Sequence, residues 1–265
     1  MTSSPPAVDT RSPRGAGPQA VLLDMDGTLV DTEGFWWDAE VEVFGRLGHV
    51  LADEHREIVV GGPMTRSAGY LIEVTGADIT LDEARDLLNA AFLRRLERGV
   101  PLMPGARRLL AELAAHRVPA ALVSASHRAV IDRVLASVGA AHFAFTVAGD
   151  ELARTKPHPD PYLTAAAGLG ADPGRCVAVE DTATGVASAE AAGCRVIAVP
   201  SVAPIAAAPG RTVVASLEEI DMAFLRSVAG APAPAVAADR GAAPVTHAAP
   251  RPHGVTGPAA SPAGP

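Results

Sequence analysis

The chain has 265 residues, of which 48% are hydrophobic and 20% are charged, a balance typical of a globular protein with one substantial core. Its formal net charge of −8 and its aromatic content of 4% argue against a nucleic-acid-binding protein, which needs surplus Lys and Arg or aromatic rings for base stacking. The two cysteines are too few for a disulfide framework, the first residues lack the apolar core of a signal peptide, and no segment reaches the roughly 20 apolar residues of a membrane span. We therefore expect a cytoplasmic protein, a monomer or weak dimer, that binds neither nucleic acid nor membranes.

The chain begins with a segment of tail composition and then a short strand. Residues 1–18 carry Pro, Ser, Gly and Arg without a hydrophobic period, so we predict a disordered tail there. The apolar segment Ala20–Leu23 has the length and composition of a buried strand. It leads directly into two aspartates, Asp24 and Asp26, which makes the end of this strand a candidate site.

Residues 33–100 show helical periodicity and no convincing strand. Phe35, Trp36 and Phe44 recur at the spacing of one helix face, and a second periodic set follows the capping box formed by Thr80 to Glu83. Because this stretch interrupts the alternation of strands and helices, we predict a separate all-helical cap domain, inserted after the first strand.

Beyond residue 100 the alternation resumes. The further predicted strands are Ala120–Val123, Phe145–Ala148, Val177–Val179, Val196–Val199 and Val213–Val214. The predicted helices are Gly105–Arg117, His127–Val138, Pro161–Gly168 and Thr184–Ala192, and a capping box at Ser216 to Glu219 predicts the start of a final helix. This pattern predicts an α/β fold, a Rossmann-like, doubly wound parallel sheet over residues 19–32 and 101–228.

The C-terminal segment again has the composition of a tail. Of the 36 residues from Gly230 to Pro265, 25 are Ala, Pro or Gly. Such a segment buries too little apolar surface to offset the entropy of ordering it. We therefore predict a second disordered tail at residues 229–265.

Polar side chains stand at the carboxyl ends of the predicted strands or in the loops beyond them, where open α/β sheets bind ligands. They are Asp24, Asp26, Ser124, Lys156, Glu180 and Asp181. Crowded carboxylates raise one another's pKa unless a cation lies among them, and Mg²⁺ prefers oxygen ligands of this kind. A metal, an ammonium and a hydroxyl together suit a phosphoryl group, so we expect a small phosphate ester as the ligand.

Asp24 and Asp26 are placed to divide the chemistry. Residues two apart in an extended chain point to the same side, so both carboxyls can address one substrate. An ionised Asp24 can attack phosphorus and form an aspartyl phosphate. Asp26 can protonate the leaving oxygen and later deprotonate water.

Four motifs in this order resemble those of the haloacid-dehalogenase-like (HAD) superfamily. The first motif resembles Asp24-Met25-Asp26-Gly27-Thr28-Leu29-Val30-Asp31-Thr32, and the second resembles Leu122-Val123-Ser124-Ala125-Ser126. Lys156 in Lys-Pro-His-Pro resembles the third motif and Glu180-Asp181 the fourth. The helical stretch resembles the C1-type cap of this superfamily. The closest subgroup contains β-phosphoglucomutases and sugar phosphatases.

The resemblance implies a Mg²⁺-dependent phosphatase that acts on a small phosphorylated metabolite, a sugar or polyol phosphate, through an aspartyl-phosphate intermediate. It implies Asp24 as the nucleophile and Asp26 as the acid and base. The implied metal ligands are Asp24, the carbonyl group of Asp26, and Asp181, with Glu180 either a further ligand or a partner of the ligands.

The same resemblance implies the groups that bind substrate. Ser124 and Lys156 would hold the phosphoryl oxygens, together with backbone amides of Met25, Asp26 and Ala125. Arg66, in the cap loop, matches a position that contacts substrate in the subgroup.

Two other functions remain open. The mutases of the subgroup carry a cap-side histidine twelve residues beyond the nucleophile, where this chain has Trp36, so hydrolysis is favoured over a β-phosphoglucomutase-like reaction. A phosphoacceptor signalling domain also uses acidic residues and Lys, but its acceptor lies on the third strand and it has no cap. His127 is either a substrate contact or merely the start of a helix.

Overall fold

The computed structural model describes residues 17–59, 64–97, 99–201 and 203–231. The predicted tails lie outside these residues except at 17, 18 and 229–231. Three residues of the predicted cap loop, 61–63, also lie outside them.

The core is one parallel sheet of six strands in the order β3-β2-β1-β4-β5-β6. The strands are β1 Ala20–Leu23, β2 Ala120–Val123, β3 Phe145–Val147, β4 Cys176–Glu180, β5 Arg195–Ala198 and β6 Arg211–Val213. The first strand lies at the centre, between β2 and β4, and all four of its residues are fully buried. The predicted fold class, a doubly wound α/β sheet with an all-helical insertion, is confirmed.

The helices either form the insertion, as the first four do, or cover the two faces of this sheet. They are α1 Glu33–Arg46, α2 Arg56–Val59, α3 Met64–Thr75, α4 Leu81–Leu96, α5 Ala106–Ala115, α6 Arg128–Val138, α7 Asp160–Gly168, α8 Ala183–Ala191 and α9 Met222–Gly230. Alternate residues of β1 face opposite layers, since Val21 and Leu23 pack with α5, α6 and α9, whereas Ala20 and Leu22 pack with α7 and α8. None of the described helices is long and apolar enough to cross a bilayer.

The insertion between β1 and β2 consists of α1 to α4. The rings of Trp36 on α1 and Phe92 on α4 stack with their centroids 3.6 Å apart. The predicted capping box at the start of α4 is present, since the Glu83 amide donates to the Thr80 hydroxyl and the Thr80 amide donates to the Glu83 carboxylate. The boundaries of the predicted cap domain, residues 33 and 100, stay a prediction.

The start of the final helix was predicted wrongly. The Ser216 hydroxyl accepts from the Glu218 amide and opens only a 3₁₀ turn, Leu217–Glu219. The helix α9 begins later, where the Asp221 carboxylate accepts from the Phe224 amide at 2.7 Å. Ser216 and Asp221 both have the chemistry of a capping residue, and the second of them opens the helix.

Candidate active site

The site lies at the carboxyl edge of the sheet, where backbone pairing fixes its first residues. The Asp24 amide donates to the Val179 carbonyl at 3.0 Å, so Asp24 continues the pairing of β1 with β4 by one residue. The Ser124 amide donates likewise to the Val147 carbonyl at 3.0 Å, beyond β2 and β3. Lys156 enters the same edge from the loop between β3 and α7.

Lys156 is the only lysine in the sequence, and its side chain is 6% exposed. Its ammonium donates to Asp24 Oδ1 at 2.6 Å, to Glu180 Oε1 at 2.6 Å and to the Val123 carbonyl at 2.9 Å. Burial lowers the pKa of Lys156, but the carboxylates of Asp24 and Glu180 raise it by more, so this pKa lies above its ordinary value. The three donors of the ammonium are thus all engaged, and the group is held cationic.

Glu180 is completely buried and accepts hydrogen bonds on both carboxyl oxygens. Its Oε1 accepts from Lys156 and from the Tyr162 hydroxyl, each at 2.6 Å. Its Oε2 accepts from the Thr182 hydroxyl at 3.3 Å and from the Asp181 amide at 3.2 Å. These contacts make Glu180 a fixed acceptor that orients the Lys156 ammonium.

Asp26 is surrounded by hydroxyl groups. Thr32 Oγ1 donates to Asp26 Oδ1 at 2.7 Å, while Ser126 Oγ at 2.8 Å and Ser124 Oγ at 3.2 Å donate to Asp26 Oδ2. Sequence reasoning did not single out Thr32 or Ser126. The spacing in the sequence could have pointed to Ser126, because a residue two positions after Ser124 can face the same side of an extended chain.

Asp181 lies against the turn that follows β1. Ser201 Oγ donates to its Oδ2 at 2.5 Å, and Thr28 Oγ1 donates to its Oδ1 at 3.3 Å. Gly27 adopts a φ of +78°, and a Cβ atom added there would overlap the Asp181 carboxylate. Glycine is therefore required for this turn to pass beside the carboxylate.

The carboxyls of Asp24, Glu180 and Asp181 form a buried cluster in which each offers an oxygen atom within 4.8 Å of the others. Burial raises the pKa of Asp24 well above its ordinary value; Lys156 opposes this shift, and the other two carboxylates add to it. Burial, followed by the charge of Glu180, raises the pKa of Asp181 to about 7. One ammonium does not balance this charge, and an all-oxygen donor set suits a hard divalent cation, so these residues fit a metal ion.

A cavity of about 280 Å³ joins this cluster to the helical insertion. Six predicted site residues line it, namely Asp24, Asp26, Ser124, Ala125, Lys156 and Asp181. Met25 is fully buried in the core, and its predicted role involves only its backbone amide. Arg66 is exposed on α3, between Thr65 and Ser67, which line the cavity.

His127 both precedes α6 and lines the cavity, so the two alternatives for it are not exclusive. Its Nε2 lies 2.8 Å from an Arg85 guanidinium nitrogen, and its Nδ1 lies 3.5 Å from Asn89 Nδ2. Arginine only donates, so Nε2 is the acceptor of this hydrogen bond. Arg85 and Asn89 belong to α4 and were missed by sequence reasoning, because only the fold brings α4 to α6.

A family model described as haloacid dehalogenase-like hydrolase matches residues 18–193. The chain is 34% identical over 183 residues to a bifunctional riboflavin kinase/FMN phosphatase of Arabidopsis thaliana; 68% of the chain aligns with 48% of that relative, so the chain spans about half of its length. It is 31% identical over 188 residues to hexitol phosphatase B of Escherichia coli strain K12, with 69% of the chain and 83% of the relative aligned. Among solved structures, CbbY from Rhodobacter sphaeroides in complex with phosphate has a TM-score of 0.70 and 26% identity, covering 78% of this chain and 99% of its own.

Proposed function

Because the chain belongs to the haloacid dehalogenase-like hydrolases, of the sugar-phosphatase type, we propose that it is a Mg²⁺-dependent phosphatase that hydrolyses a small sugar or polyol phosphate through an aspartyl phosphate. The family assignment confirms the resemblance carried by the four motifs. The phosphatases among its relatives support the hydrolysis of a phosphoric monoester. The observation that carries the proposal is the buried contact of Lys156 with Asp24 and Glu180, at the inner end of a cavity of small-metabolite size.

Lys156 and Ser124 bind the phosphoryl group in this proposal, the ammonium by turning the proton that Asp24 accepts in the free protein toward a phosphoryl oxygen. The ammonium is fixed by Glu180 and by a backbone carbonyl, so its position does not depend on substrate. The Ser124 hydroxyl, which donates to Asp26, can turn its proton toward a phosphoryl oxygen instead. Charge neutralisation and positioning of this kind supply most of the catalysis of phosphoryl transfer.

Asp24 acts as the nucleophile. One of its carboxylate oxygens attacks phosphorus, the bond from phosphorus to the ester oxygen breaks, and the leaving oxygen departs with the bonding electron pair. The product of this step is a phosphoryl group bound to Asp24 and a free alcohol. The contact with Lys156 favours the ionised form of Asp24 that attack requires.

Asp26 supplies and removes the protons. It gives a proton to the leaving oxygen as the ester bond breaks, and its carboxylate then takes a proton from the water that attacks phosphorus. Inorganic phosphate leaves and Asp24 is regenerated. The hydroxyls of Thr32, Ser124 and Ser126 hold the Asp26 carboxyl beside the nucleophile between these steps.

The carboxylates of Asp24 and Asp181 and the carbonyl group of Asp26 would hold the Mg²⁺ ion. When bound, the ion supplies positive charge that neutralises the phosphoryl oxygens. Both carboxyl oxygens of Glu180 already accept hydrogen bonds, and the two bonds to Oε1 are 2.6 Å long. We therefore assign Glu180 to the orientation of Lys156 rather than to direct ligation of the metal ion.

The mutases carry a cap-side histidine at the position where this chain has Trp36. This difference favours hydrolysis over phosphomutase activity. Trp36 lines the cavity and its ring is stacked on Phe92, so this position offers no group that transfers protons. A phosphoacceptor signalling domain is disfavoured as well, since Asp24 follows the first strand and four helices of the insertion come before the second.

The substitution Asp24→Asn tests the proposal. We expect it to lower turnover of p-nitrophenyl phosphate at least about a thousandfold in the presence of Mg²⁺, because the amide is a poor nucleophile. Asp31→Asn is the matched control, since Asp31 is exposed in the same loop, and it should retain wild-type turnover. Full activity of the Asp24→Asn protein would refute the aspartyl-phosphate mechanism, and circular dichroism checks that both variants fold.

A further inference from the structure

A buried carboxyl of the insertion is not used by the mechanism above. Glu40, in the middle of α1, is 2% exposed and lines the same cavity as Lys156. Within the described part of the chain its Oε2 atom has no hydrogen-bond partner. Glutamate is rarely buried without a partner, because loss of hydration destabilises both the ionised and the neutral form of its carboxyl group.

The neighbouring hydroxyl determines which form of this carboxyl fits the fold. Ser67 Oγ donates its single proton to the Val59 carbonyl at 2.8 Å and lies within hydrogen-bonding reach of Glu40. While this hydroxyl donates to Val59, only its lone pairs are available to the carboxyl, so a neutral Glu40 that donates to Ser67 satisfies both groups, whereas an ionised Glu40 would need the proton that Val59 accepts. Burial raises the pKa of Glu40 to about 8, against the weaker opposing effects of Ser67 and the Arg66 charge, which agrees with a neutral acid at pH 7.

A neutral acid anchored in this way presents one fixed acceptor to the cavity. Its proton points to Ser67, and its remaining oxygen accepts a hydrogen bond from a ligand. The partner that such an oxygen needs is a donor without charge, and an alcohol group has that chemistry. A carboxylate or a fully ionised phosphate brings no proton to donate and does not suit this position.

We propose that Glu40 selects substrates by accepting a hydrogen bond from a hydroxyl group of the leaving alcohol. The inference rests on the proposed phosphatase function and adds to it the feature of the substrate that is recognised. A site built to pair with a hydroxyl discriminates against analogues that lack it, because the buried acceptor is then left without a partner.

Three phosphate esters and two variants test the inference. The esters are sorbitol 6-phosphate, n-hexyl phosphate, which has the same number of carbons and no hydroxyl, and p-nitrophenyl phosphate. We expect the wild-type kcat/KM for sorbitol 6-phosphate to exceed that for n-hexyl phosphate by at least about tenfold. Glu40→Met, which has no strong acceptor, should abolish this preference while kcat/KM for p-nitrophenyl phosphate stays within about threefold of the wild type.

Glu40→Gln provides the matched control. Its amide NH₂ can donate to Ser67 and its carbonyl oxygen can accept from the substrate, as in the neutral acid, so the preference for sorbitol 6-phosphate should persist. Loss of the preference in the Gln variant would contradict the neutral form of Glu40. An equal loss of activity toward all three esters in the Met variant would show a purely structural role and overturn the inference.

The outcomes also separate this inference from the proposed function. Wild-type protein that hydrolyses none of the three esters overturns the proposed function. Wild-type protein that hydrolyses p-nitrophenyl phosphate but treats sorbitol 6-phosphate and n-hexyl phosphate alike overturns only the inference. This comparison needs no variant, so it stands even where Glu40→Met does not fold.

Discussion

Two buried glutamates of this protein differ in how their burial is compensated. Glu180 accepts from Lys156, Tyr162 and Thr182, so its carboxylate is surrounded by donors. Glu40 has Ser67 as its neighbour and an unpartnered Oε2 among the described residues. The first carboxyl is therefore part of a fixed charged network, whereas the second is suited to a neutral state and to a ligand.

The burial of Glu40 predicts how this residue contributes to the pH dependence of the free energy of unfolding. Its pKa rises from 4.5 to about 8 on folding, so between these values the folded state keeps a proton that the unfolded state has lost, and stability falls as the pH rises. Glu40→Gln cannot lose that proton. We expect the free energy of unfolding of the Gln variant, relative to wild type, to increase by up to about 1.4 kcal/mol per pH unit across this range.

Urea unfolding of both proteins at about pH 5.5 and about pH 7.5 measures this difference. Since other groups titrate in both proteins alike, only the difference between the two curves reports on Glu40. A difference that stays constant with pH would contradict a neutral Glu40 in the folded protein.

The sequence predicts the site residues that follow strands and misses those that reach the site from elsewhere. Asp24, Ser124 and Asp181 are predictable because strand ends meet at one edge of a parallel sheet. Glu40 carries no such signal, since a glutamate within an amphipathic helix is ordinarily a solvated residue. Its burial depends on how α1 packs against the rest of the insertion, which one sequence does not reveal.

Among the secondary structure elements, α4 and α6 connect the insertion to the sheet layer. Arg85 on α4 donates to His127, the residue that precedes α6. Arg85 and Asn89 of α4 line the same cavity as Asp24, and so does His127. The contact therefore fixes one wall of the site, and its loss would leave the cavity more open to water.

Substitution of Arg85 by Ala tests the role of this contact. We expect kcat/KM for p-nitrophenyl phosphate to fall about tenfold. The melting temperature should fall by no more than about 4 °C, because the hydrogen bond to His127 contributes only about 1 kcal/mol to stability and the exposed ion pair of Arg85 with Asp82 contributes little. Arg94→Ala is the control on the same helix, since Arg94 pairs with Glu42 on the outer side of the insertion. Equal losses of activity in the two variants would contradict a specific role for the contact with His127.

The elements themselves are predicted well where local signals agree. Strands β1 and β2 have the predicted bounds, because short apolar segments between polar turns have few alternative readings. The edge strand β6 was placed two residues late, since edge strands are only half-buried and their apolar signal is weak. The start of α9 was missed because Ser216 and Asp221 both have the chemistry of a capping residue.

At the scale of the whole molecule, the fold gathers four carboxyls around one ammonium at the centre of the sheet edge. Three of these carboxyls are less than a tenth exposed, namely Asp24, Glu180 and Asp181. Concentrated buried charge of one sign opposes folding unless a counter-charge is bound. Stability of the entire chain is thus expected to depend on the occupancy of this site.

We predict that Mg²⁺ raises the melting temperature of the protein. At a Mg²⁺ concentration about 100 times the dissociation constant, linkage gives about 2.7 kcal/mol of stabilisation, which corresponds to about 5–10 °C for a chain of this size. Thermal unfolding followed by circular dichroism, with and without a chelator, measures the effect. NaCl at equal ionic strength is the control, and an equal rise in NaCl would show general screening instead of a metal site.

The single lysine has a practical consequence for handling the protein. In the folded chain its ε-amino group is enclosed by three acceptors and held protonated, which leaves it unreactive toward acylating reagents. Biotinylation or coupling to an activated bead through amines is therefore expected to spare Lys156. The cavity that Lys156 lines then stays unmodified in the immobilised protein.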